Sequence, residues 1–232
     1  MANPYAFSRQ IFRSAYNPTV GTSEATIWPK NTAYVFPSSA SIMTLYSSSV
    51  FDMGMTVLVE GLDENYNEIS EVVTLFGQVG AATQQSYLRI NDLTVISPTV
   101  VRGDISIGTG TAVAGIPANT YGYISAGDNI TNSAVYTVPA GYTLRLASGS
   151  ISAGGSSGSQ TVTAKFRSRI NGVNYLTASI SIANNYQFFP YNPTLDIPEK
   201  SDIFNNALTS SNTSAVSATF NGWLIKNNII RS

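Results

Sequence analysis

A pattern of alternating polar and apolar residues, interrupted by one tight turn, constrains this chain more than any other feature. From residue 161 to residue 170 the even positions are Val, Ala, Phe, Ser and Ile, whereas the odd positions are Thr, Thr, Lys, Arg and Arg. This period of two is that of a strand with one buried face. Asn171-Gly172 follows, and this dipeptide favours a type I′ turn because both positions require a positive φ. The sequence therefore predicts a β-hairpin that returns through residues 175–182.

Similar signals recur along the rest of the chain. Short runs rich in Val, Ile, Leu, Thr and Tyr alternate with turns rich in Gly, Asn, Ser and Pro, and none of the runs has the 3.6-residue period of an amphipathic helix. Many short strands at this spacing are typical of sandwiches, jelly rolls and barrels. We therefore predict an all-β fold: two consecutive antiparallel β-sandwich domains, jelly-roll or immunoglobulin-like, preceded by an extended N-terminal arm. The predicted strands include residues 55–60, 69–76, 86–90, 93–96, 104–108, 142–146 and 216–225.

Two changes in composition suggest the domain limits. Pro and Gly occur too often in residues 1–30 for a helix, yet aromatic residues are frequent there, so we expect an arm that lies on a protein surface. Its own domain is the favoured surface, and a neighbouring subunit is the alternative. The glycine-rich residues 108–129 predict a boundary near residue 125. The expected divisions are the arm at residues 1–30, a β-sandwich domain at 31–124 and a jelly-roll-like domain at 125–232.

Composition limits the chemistry that is available. The 232 residues contain no histidine and no cysteine, so the commonest metal ligands and general bases are missing, and we expect neither a metal nor a cofactor. Charged residues make up 11% of the chain and the net charge is −1, which provides no basic field for nucleic acid or anionic lipid. No apolar run approaches the length of a membrane span. Nucleic acid and membranes are therefore not expected partners.

A group of acidic residues between positions 60 and 71 is the one set of side chains in this sequence that would suit acid–base catalysis. Paired carboxylates cleave glycosidic bonds, but nothing in the sequence places one acid in an apolar pocket opposite another, so no enzymatic activity is expected. Asp63, Asn65 and Asn67 have the alternating spacing of a calcium loop, although Glu68 stands where glycine is needed. Side chains that cap a turn are the preferred interpretation. The acidic residues are Glu60, Asp63, Glu64, Glu68 and Glu71.

Two further motifs carry charge. Lys165, Arg167 and Arg169 project from one face of the predicted hairpin and form a basic ridge. This ridge either contacts an acidic partner or is simply solvated. Arg102-Gly103-Asp104 spells an integrin-binding tripeptide, and we interpret it as a turn because a three-residue match arises often by chance.

Three blocks of sequence are more distinctive than the rest. They are GLDENYNEISE at 61–71 followed by VTLFG at 73–77 and LRIN at 88–91, YTVPAGY at 136–142, and IPEKSDI at 197–203 ahead of the strand at 216–225. Together these blocks resemble virion structural proteins of tailed bacteriophages, especially phages of cyanobacteria and other marine bacteria. The resemblance implies a non-enzymatic particle protein, often sandwich-like and oligomeric, and it transfers no catalytic residue.

From this resemblance we predict a capsid decoration or cement protein, located in the virion, that stabilises the assembled head shell. It would act as a homotrimer or another small symmetric oligomer, with copies of itself and the major capsid protein or other virion subunits as partners. A receptor-binding, tail-fibre or head–tail junction protein of the same particle is the alternative, although no heptad or repeated segment of a fibre shaft is visible. The expected contact residues are the aromatic Tyr5, Phe7, Phe12 and Tyr16 of the arm and the ridge of Lys165, Arg167 and Arg169.

Overall fold

The computed structural model confirms the all-β class. It describes residues 8–30, 32–155, 160–183 and 185–227. Within these residues the one helical element is a 3-10 turn at Val50–Asp52, and no helix is long and apolar enough to cross a membrane. The strands, in chain order, are β1 (Ser8–Val20), β2 (Ala25–Thr26), β3 (Ser41–Ser47), β4 (Thr56–Leu62), β5 (Glu68–Thr74), β6 (Ala81–Tyr87), β7 (Arg89–Val95), β8 (Ile105–Thr109), β9 (Asn119–Ile124), β10 (Val135–Thr137), β11 (Tyr142–Gly155), β12 (Val162–Ile170), β13 (Val173–Ile182), β14 (Tyr186–Ile197), β15 (Asp202–Thr209) and β16 (Ser214–Lys226).

The chain divides into two compact units. Unit 2 is the continuous middle segment Tyr34–Asn132, whereas unit 1 combines the two ends of the chain, Met1–Ala33 and Ser133–Ser232. This arrangement differs from the predicted order of an arm followed by two consecutive domains. The physical reason is β1, which pairs with β16 over most of its length and so joins the start of the chain to its end.

Unit 1 is built from two antiparallel sheets. Sheet A has the strand order β1-β16-β11-β14, and sheet B has the order β10-β15-β12-β13, with the short β2 beside β15. Inward-facing residues of both sheets share buried clusters, as the period of two predicts for packed sheets. The larger cluster includes Ala15, Ile151 and Ala218 from sheet A and Phe166 and Ala207 from sheet B.

The β12–β13 hairpin forms as the sequence predicts. Asn171 and Gly172 have φ values of +50° and +80°, which suit a type I′ turn. Ile170 lies opposite Val173 directly across this turn. Burial alternates along β12, so one face of the strand packs in the core and the other faces outward.

The described part of the predicted arm is an edge strand of sheet A. Ile11, Ala15 and Val20 of β1 are buried in unit 1. Pro18, which suggested an irregular backbone, falls where the register of β1 shifts between Asn17 and Val20. An edge strand tolerates proline at such a place because the lost N–H has no ladder partner to miss. Residues 8–20 therefore extend the sheet of their own unit.

Unit 2 also consists of two antiparallel sheets. Sheet C has the order β6-β3-β8-β9, and sheet D has the order β5-β4-β7. Leu45 and Ile107 from sheet C and Val57 and Leu93 from sheet D lie in one buried cluster. The apolar faces of the two sheets thus share a single core.

The boundary predicted near residue 125 falls instead at residues 132–133. After β9 the chain returns to β7, where Ile130 forms a bridge with Thr94. The amide of Thr131 also donates to Leu93 O at 2.9 Å. Glycine-rich composition marked the loop, but these backbone bonds keep it in unit 2.

Candidate functional site

The aromatic contact residues predicted in the arm fall only in part within the described residues. Tyr5 and Phe7 lie outside them. Phe12 and Tyr16 are exposed on β1, on the side away from the core, because buried and exposed residues alternate along this strand. Both residues belong to one continuous surface, the outer face of sheet A.

The outer face of sheet A consists of the outward side chains of β1, β16, β11 and β14. Strand register aligns these side chains in rows across the sheet, with aromatic residues on the two edge strands and mostly hydroxyl and amide groups between them. The four rows are Tyr16, Ser217, Ser152 and Tyr186; Ser14, Thr219, Ser150 and Phe188; Phe12, Asn221, Ser148 and Pro190; and Gln10, Trp223, Arg145 and Asp196.

The outer face of sheet A carries one charged pair, at one end of its rows. Arg145 Nε and Nη2 donate to the two carboxylate oxygens of Asp196 at 2.8 Å each. The hydrogen bond from Arg145 outweighs desolvation and holds the pKa of the Asp196 carboxyl below its ordinary value. In the middle of the face the hydroxyls of Ser150 and Thr219 are 2.7 Å apart. Three of the rows are therefore polar at the centre, where Ser148 and Ser150 are almost fully buried, and carry Tyr, Phe or Pro at one or both edges, whereas the fourth has Trp223 and Arg145 at its centre.

The predicted basic ridge is present on sheet B, but acidic residues of the same unit pair with it. Glu24 accepts from Lys165 at 2.6 Å and from Arg167 at 3.0 Å, and Asp202 accepts from Arg169 at 2.6 Å. Desolvation raises the pKa of Glu24, but hydrogen bonds, first that from Lys165, and the charge of Arg167 outweigh it and hold the pKa below its ordinary value. The ridge thus has internal partners, and its contact with an acidic partner stays a prediction.

Asp63 caps a turn, as interpreted from the sequence. Its Oδ1 accepts the backbone N–H groups of Asn65 and Asn67 at 2.8 Å each, and its Oδ2 accepts Asn67 Nδ2 at 3.0 Å. Desolvation raises the pKa of Asp63, but these hydrogen bonds, with Asn67 first, bring it below its ordinary value. Within the part of the chain that the structure describes, no three acidic side chains come together as a metal site would require.

Glu71 connects the two sheets of unit 2. Its carboxylate oxygens accept the backbone N–H groups of Gln84 and Gln85 at 2.8 Å and 3.0 Å. At this point the pairing of β6 with β3 is irregular, so these amides need another acceptor. Glu71 therefore has a structural role, which its place in a group of acidic residues did not reveal.

The Arg102-Gly103-Asp104 tripeptide forms a bend that is held by a buried acid. Asp52 is fully buried. Its carboxylate accepts the N–H groups of Arg102 and Gly103 at 2.9 Å each and the hydroxyl of Ser47 at 2.6 Å. The Arg102 guanidinium lies over the Phe51 ring, 5.4 Å from its centroid. Each of these contacts ties the tripeptide into the fold of unit 2.

Three turns of unit 2, at residues 50–53, 76–79 and 113–116, meet around residues 47–50. We call them the loop cluster. The Ser47 N–H donates to Gly77 O at 2.9 Å, and Gln78 Nε2 donates to Ser48 O at 2.7 Å. Gly115 packs so closely on Ser47 that a Cβ at this position would overlap the Ser47 carbonyl oxygen. Backbone contacts therefore fix the three turns against one another.

Apolar side chains dominate the exposed surface of the loop cluster. Val113 is 76% exposed, Phe51 72% and Val79 68%, whereas Asp52, the one charged residue of the three turns, is buried. Exposed apolar side chains that are gathered on neighbouring turns often mark an interaction site. The exposed apolar residues are Val50, Phe51, Met53, Phe76, Val79, Val113 and Ile116.

Sequence reasoning missed the loop cluster, although a signal for it exists. Turns are normally polar, yet residues 76–79 and 113–116 each begin and end with a large apolar residue. In the turn at residues 113–116, Ala114 and Gly115 have φ values of +49° and +76°. Val113 and Ile116 exchange backbone hydrogen bonds of 2.9 Å and 3.0 Å. A tight turn whose ends are apolar and exposed is the pattern to search for.

Comparisons with known proteins give little beyond this geometry. No protein-family model matches the sequence, and no curated protein matches it. Among solved structures, the VP2 subviral particle of infectious bursal disease virus is 13% identical, with a TM-score of 0.25, over 98% of this chain and 75% of that one. The Gt strain of the same virus gives 14% identity and a TM-score of 0.24 over 96% and 73% of the two chains. Such low TM-scores carry no argument about this chain.

Proposed function

We propose that this chain is a non-enzymatic structural protein of a virus particle, one that decorates or cements the assembled head shell as a small symmetric oligomer. The sequence resemblance to phage virion proteins supports the setting. The loop cluster is the observation that carries the proposal, because it is an apolar, almost uncharged surface on a fixed backbone. Its partner would be an apolar surface of the major capsid protein or another virion subunit.

The fixed backbone of the loop cluster favours binding to a folded protein. A surface that is ordered before binding loses less conformational entropy on association. The buried Asp52 and the close approach of Gly115 to Ser47 supply this order. Burial of the apolar side chains then contributes about 25 cal/mol per Å² removed from water. Nucleic acid is a poor fit because no group of cations lies in the three turns.

Such binding would stabilise the assembled head shell through thermodynamic linkage. A protein that binds the assembled lattice but not free shell subunits stabilises the lattice by about 2.7 kcal/mol per site at a hundredfold excess over Kd. Copies joined in one oligomer bind with a high effective concentration, so each contact with the shell needs only modest affinity. No chemical step is required, which agrees with the structural roles of Asp63 and Glu71.

Co-sedimentation with assembled head shells that lack this protein tests the proposal. Val113→Asp and Val79→Asp should each weaken binding at least about tenfold, because burial of a carboxylate without a partner is costly. Val35→Asp is the matched control, since Val35 is 71% exposed in the same unit but lies outside the three turns. It should bind like the unchanged protein.

Three results would count against this function. If the unchanged protein does not bind shells, the cement role is wrong. If it binds but all three variants bind equally well, another surface makes the contact. If it binds neutral phosphatidylcholine vesicles and not shells, and Val113→Asp abolishes that binding, the loop cluster contacts lipid instead.

A receptor-binding or tail protein of the same particle is the second candidate, and the outer face of sheet A favours it. Aromatic rings stack on the apolar faces of sugars, while hydroxyl and amide groups hydrogen-bond to them. Tyr16 and Tyr186 lie at the two ends of one row on this face, with Ser217 and Ser152 between them. Binding of host-cell glycans that Tyr16→Ala and Tyr186→Ala remove would support this role over cementing.

A further inference from the structure

No described strand pairs with the outer edge of β13. It is an outer strand of sheet B, and within residues 8–30, 32–155, 160–183 and 185–227 its pairing partner is β12 alone. Its ten residues contain no charged residue, no proline and no glycine. An uncharged edge of this length is a template for another strand, because its outward N–H and C=O groups need partners.

Several other edge strands carry charged residues or prolines, which discourage pairing, and β9, the uncharged outer strand of sheet C, is shorter, contains Gly122 and has a register shift. In unit 1, β1 carries Arg9 and Arg13, and β14 carries Asp196 and two prolines. In unit 2, β5 carries Glu68 and Glu71. The Glu71 carboxylate also accepts hydrogen bonds from two backbone amides of β6. β13 has a single device, a register shift beside Thr177, and the Thr177 hydroxyl donates to Phe166 O of β12, on the side that is already paired.

The first residues of β13 are exposed on both faces of the sheet. Val173, Tyr175 and Leu176 each expose about half of their surface, although alternating side chains point to opposite faces. The start of this hairpin therefore extends beyond the packed part of unit 1. Three large apolar side chains around an unpaired backbone edge favour a strand partner over solvent.

We propose that β13 pairs with β13 of a second copy of this chain, antiparallel and across a twofold axis. Two features select a second copy as the partner. In a twofold interface the same strand of each copy faces the other, so a charged strand would bring like charges together. An uncharged strand can pair with itself without this repulsion. Antiparallel pairing also leaves both copies identical, and sheet B then continues from one copy into the other.

The interface would extend beyond the single strand. β14 packs over this region of sheet B, since the Phe189 ring lies 4.8 Å from that of Phe166 in an edge-to-face contact. Tyr191 of the same strand hydrogen-bonds to Thr177, and burial raises its pKa. A copy brought against β13 therefore also meets β14. A ten-residue strand spans about 33 Å, so two strands can approach the roughly 800 Å² per partner of a stable interface.

This inference rests on the proposed function only in naming the oligomer, and it specifies a twofold dimer where the sequence favoured a trimer. Light scattering over a range of protein concentrations should give twice the chain mass of 24.7 kDa. Tyr175→Lys should raise the dimer Kd at least about tenfold, because it replaces an apolar side chain of the interface with a lysine, and lysine on an edge strand discourages pairing. Val72→Lys is the matched control, because Val72 lies on β5, an edge strand of sheet D, and has a similar exposure; it should leave the dimer intact.

The absence of cysteine from the sequence permits a second test. Single cysteines placed at Asn174, Leu176, Ser179 and Ser181 should form an intermolecular disulfide only near the axis, where Cα atoms lie within about 7 Å. Ser14→Cys on β1 should form none.

Monomers at all concentrations, a trimer, or a dimer that Tyr175→Lys leaves unchanged would overturn the proposal. So would cross-linking that is equal at all positions. Because these measurements use the isolated protein, their failure is separate from a failure to bind shells.

Discussion

Replacement of Asp52 by alanine should be among the most destabilising single changes in unit 2. The carboxylate is fully buried and accepts three hydrogen bonds, two of them from the successive amides of Arg102 and Gly103. Alanine removes the acceptors but leaves the donors in place. A buried donor without a partner costs about 1–3 kcal/mol, so we expect a loss of about 3–5 kcal/mol from unit 2. That is a large part of the 5–15 kcal/mol typical of a domain.

Asp63→Ala provides a matched control for this prediction. Asp63 also accepts three hydrogen bonds, from Asn65 and Asn67, but its turn is exposed. Water replaces the lost acceptor there, so the cost should be about 1 kcal/mol or less. The two variants therefore remove equal numbers of hydrogen bonds and differ in burial.

Hydrogen exchange of the backbone amides of β3 and β8 is the suitable measurement. Both tryptophans, Trp28 and Trp223, belong to unit 1, so tryptophan fluorescence does not report on unit 2 directly. A loss of 3 kcal/mol should speed the exchange of amides that open globally by about a hundredfold, at 1.4 kcal/mol for each factor of ten. If Asp52→Ala speeds exchange no more than Asp63→Ala does, burial of the Asp52 carboxylate does not determine its contribution to the stability of unit 2.

Three further changes follow from single contacts. Glu71→Ala should cost unit 2 about 2–3 kcal/mol in urea unfolding, because the amides of Gln84 and Gln85 lose a charged acceptor, whereas Glu64→Ala on the neighbouring loop should be neutral. Glu24→Gln should lower the urea midpoint at pH 7, and this effect should shrink as the pH is lowered below 4.5: the folded pKa of Glu24 lies below its ordinary 4.5, so its contribution is complete above that value and is lost as the pH falls through the folded pKa. Gly115→Ala should weaken shell binding while far-UV circular dichroism stays unchanged, because the new Cβ displaces the third turn of the loop cluster.

The sequence predicted those features of the fold that depend on local pattern. Period-two burial and Asn171-Gly172 were sufficient for the β12–β13 hairpin, whose turn residues have the required positive φ values. Pairing between distant segments leaves no local trace, so nothing near Pro18 indicated that residues 8–20 would pair with β16. The boundary moved to residues 132–133 for the same reason, since Ile130 is held by a strand far from it in sequence.

The candidate surfaces were predictable only where they lie on a single strand. Phe12 and Tyr16 were identified from their aromatic character and are exposed together on β1. The pairing of Glu24 with Lys165 joins residues far apart in the chain, so the sequence showed a basic ridge without its acidic partner. The loop cluster combines three turns separated by more than twenty residues each, and its apolar character becomes a patch only after unit 2 has folded.

The protein has few charged residues, and several of them bind groups of their own unit, so salt should have little effect on its binding. Charged residues form 11% of the sequence, and several of the acids, among them Asp52, Glu71 and Glu24, bind backbone amides or cations of their own unit. The three turns of the loop cluster consequently expose no charged side chain of their own, and the Arg102 guanidinium lies beside them over the Phe51 ring. Salt screens exposed charges over a length that falls from about 10 Å at 0.1 M to about 3 Å at 1 M.

Binding to shells through an apolar surface should therefore vary less than about threefold between roughly 0.1 M and 1 M sodium chloride, since screening has little to act on. Binding through Lys165, Arg167 and Arg169 would weaken steeply over that range. Co-sedimentation at the two salt concentrations separates these outcomes, and Arg167→Gln should leave binding unchanged at both. A loss of affinity of tenfold or more at high salt, together with an effect of Arg167→Gln, would move the contact from the loop cluster to the basic ridge.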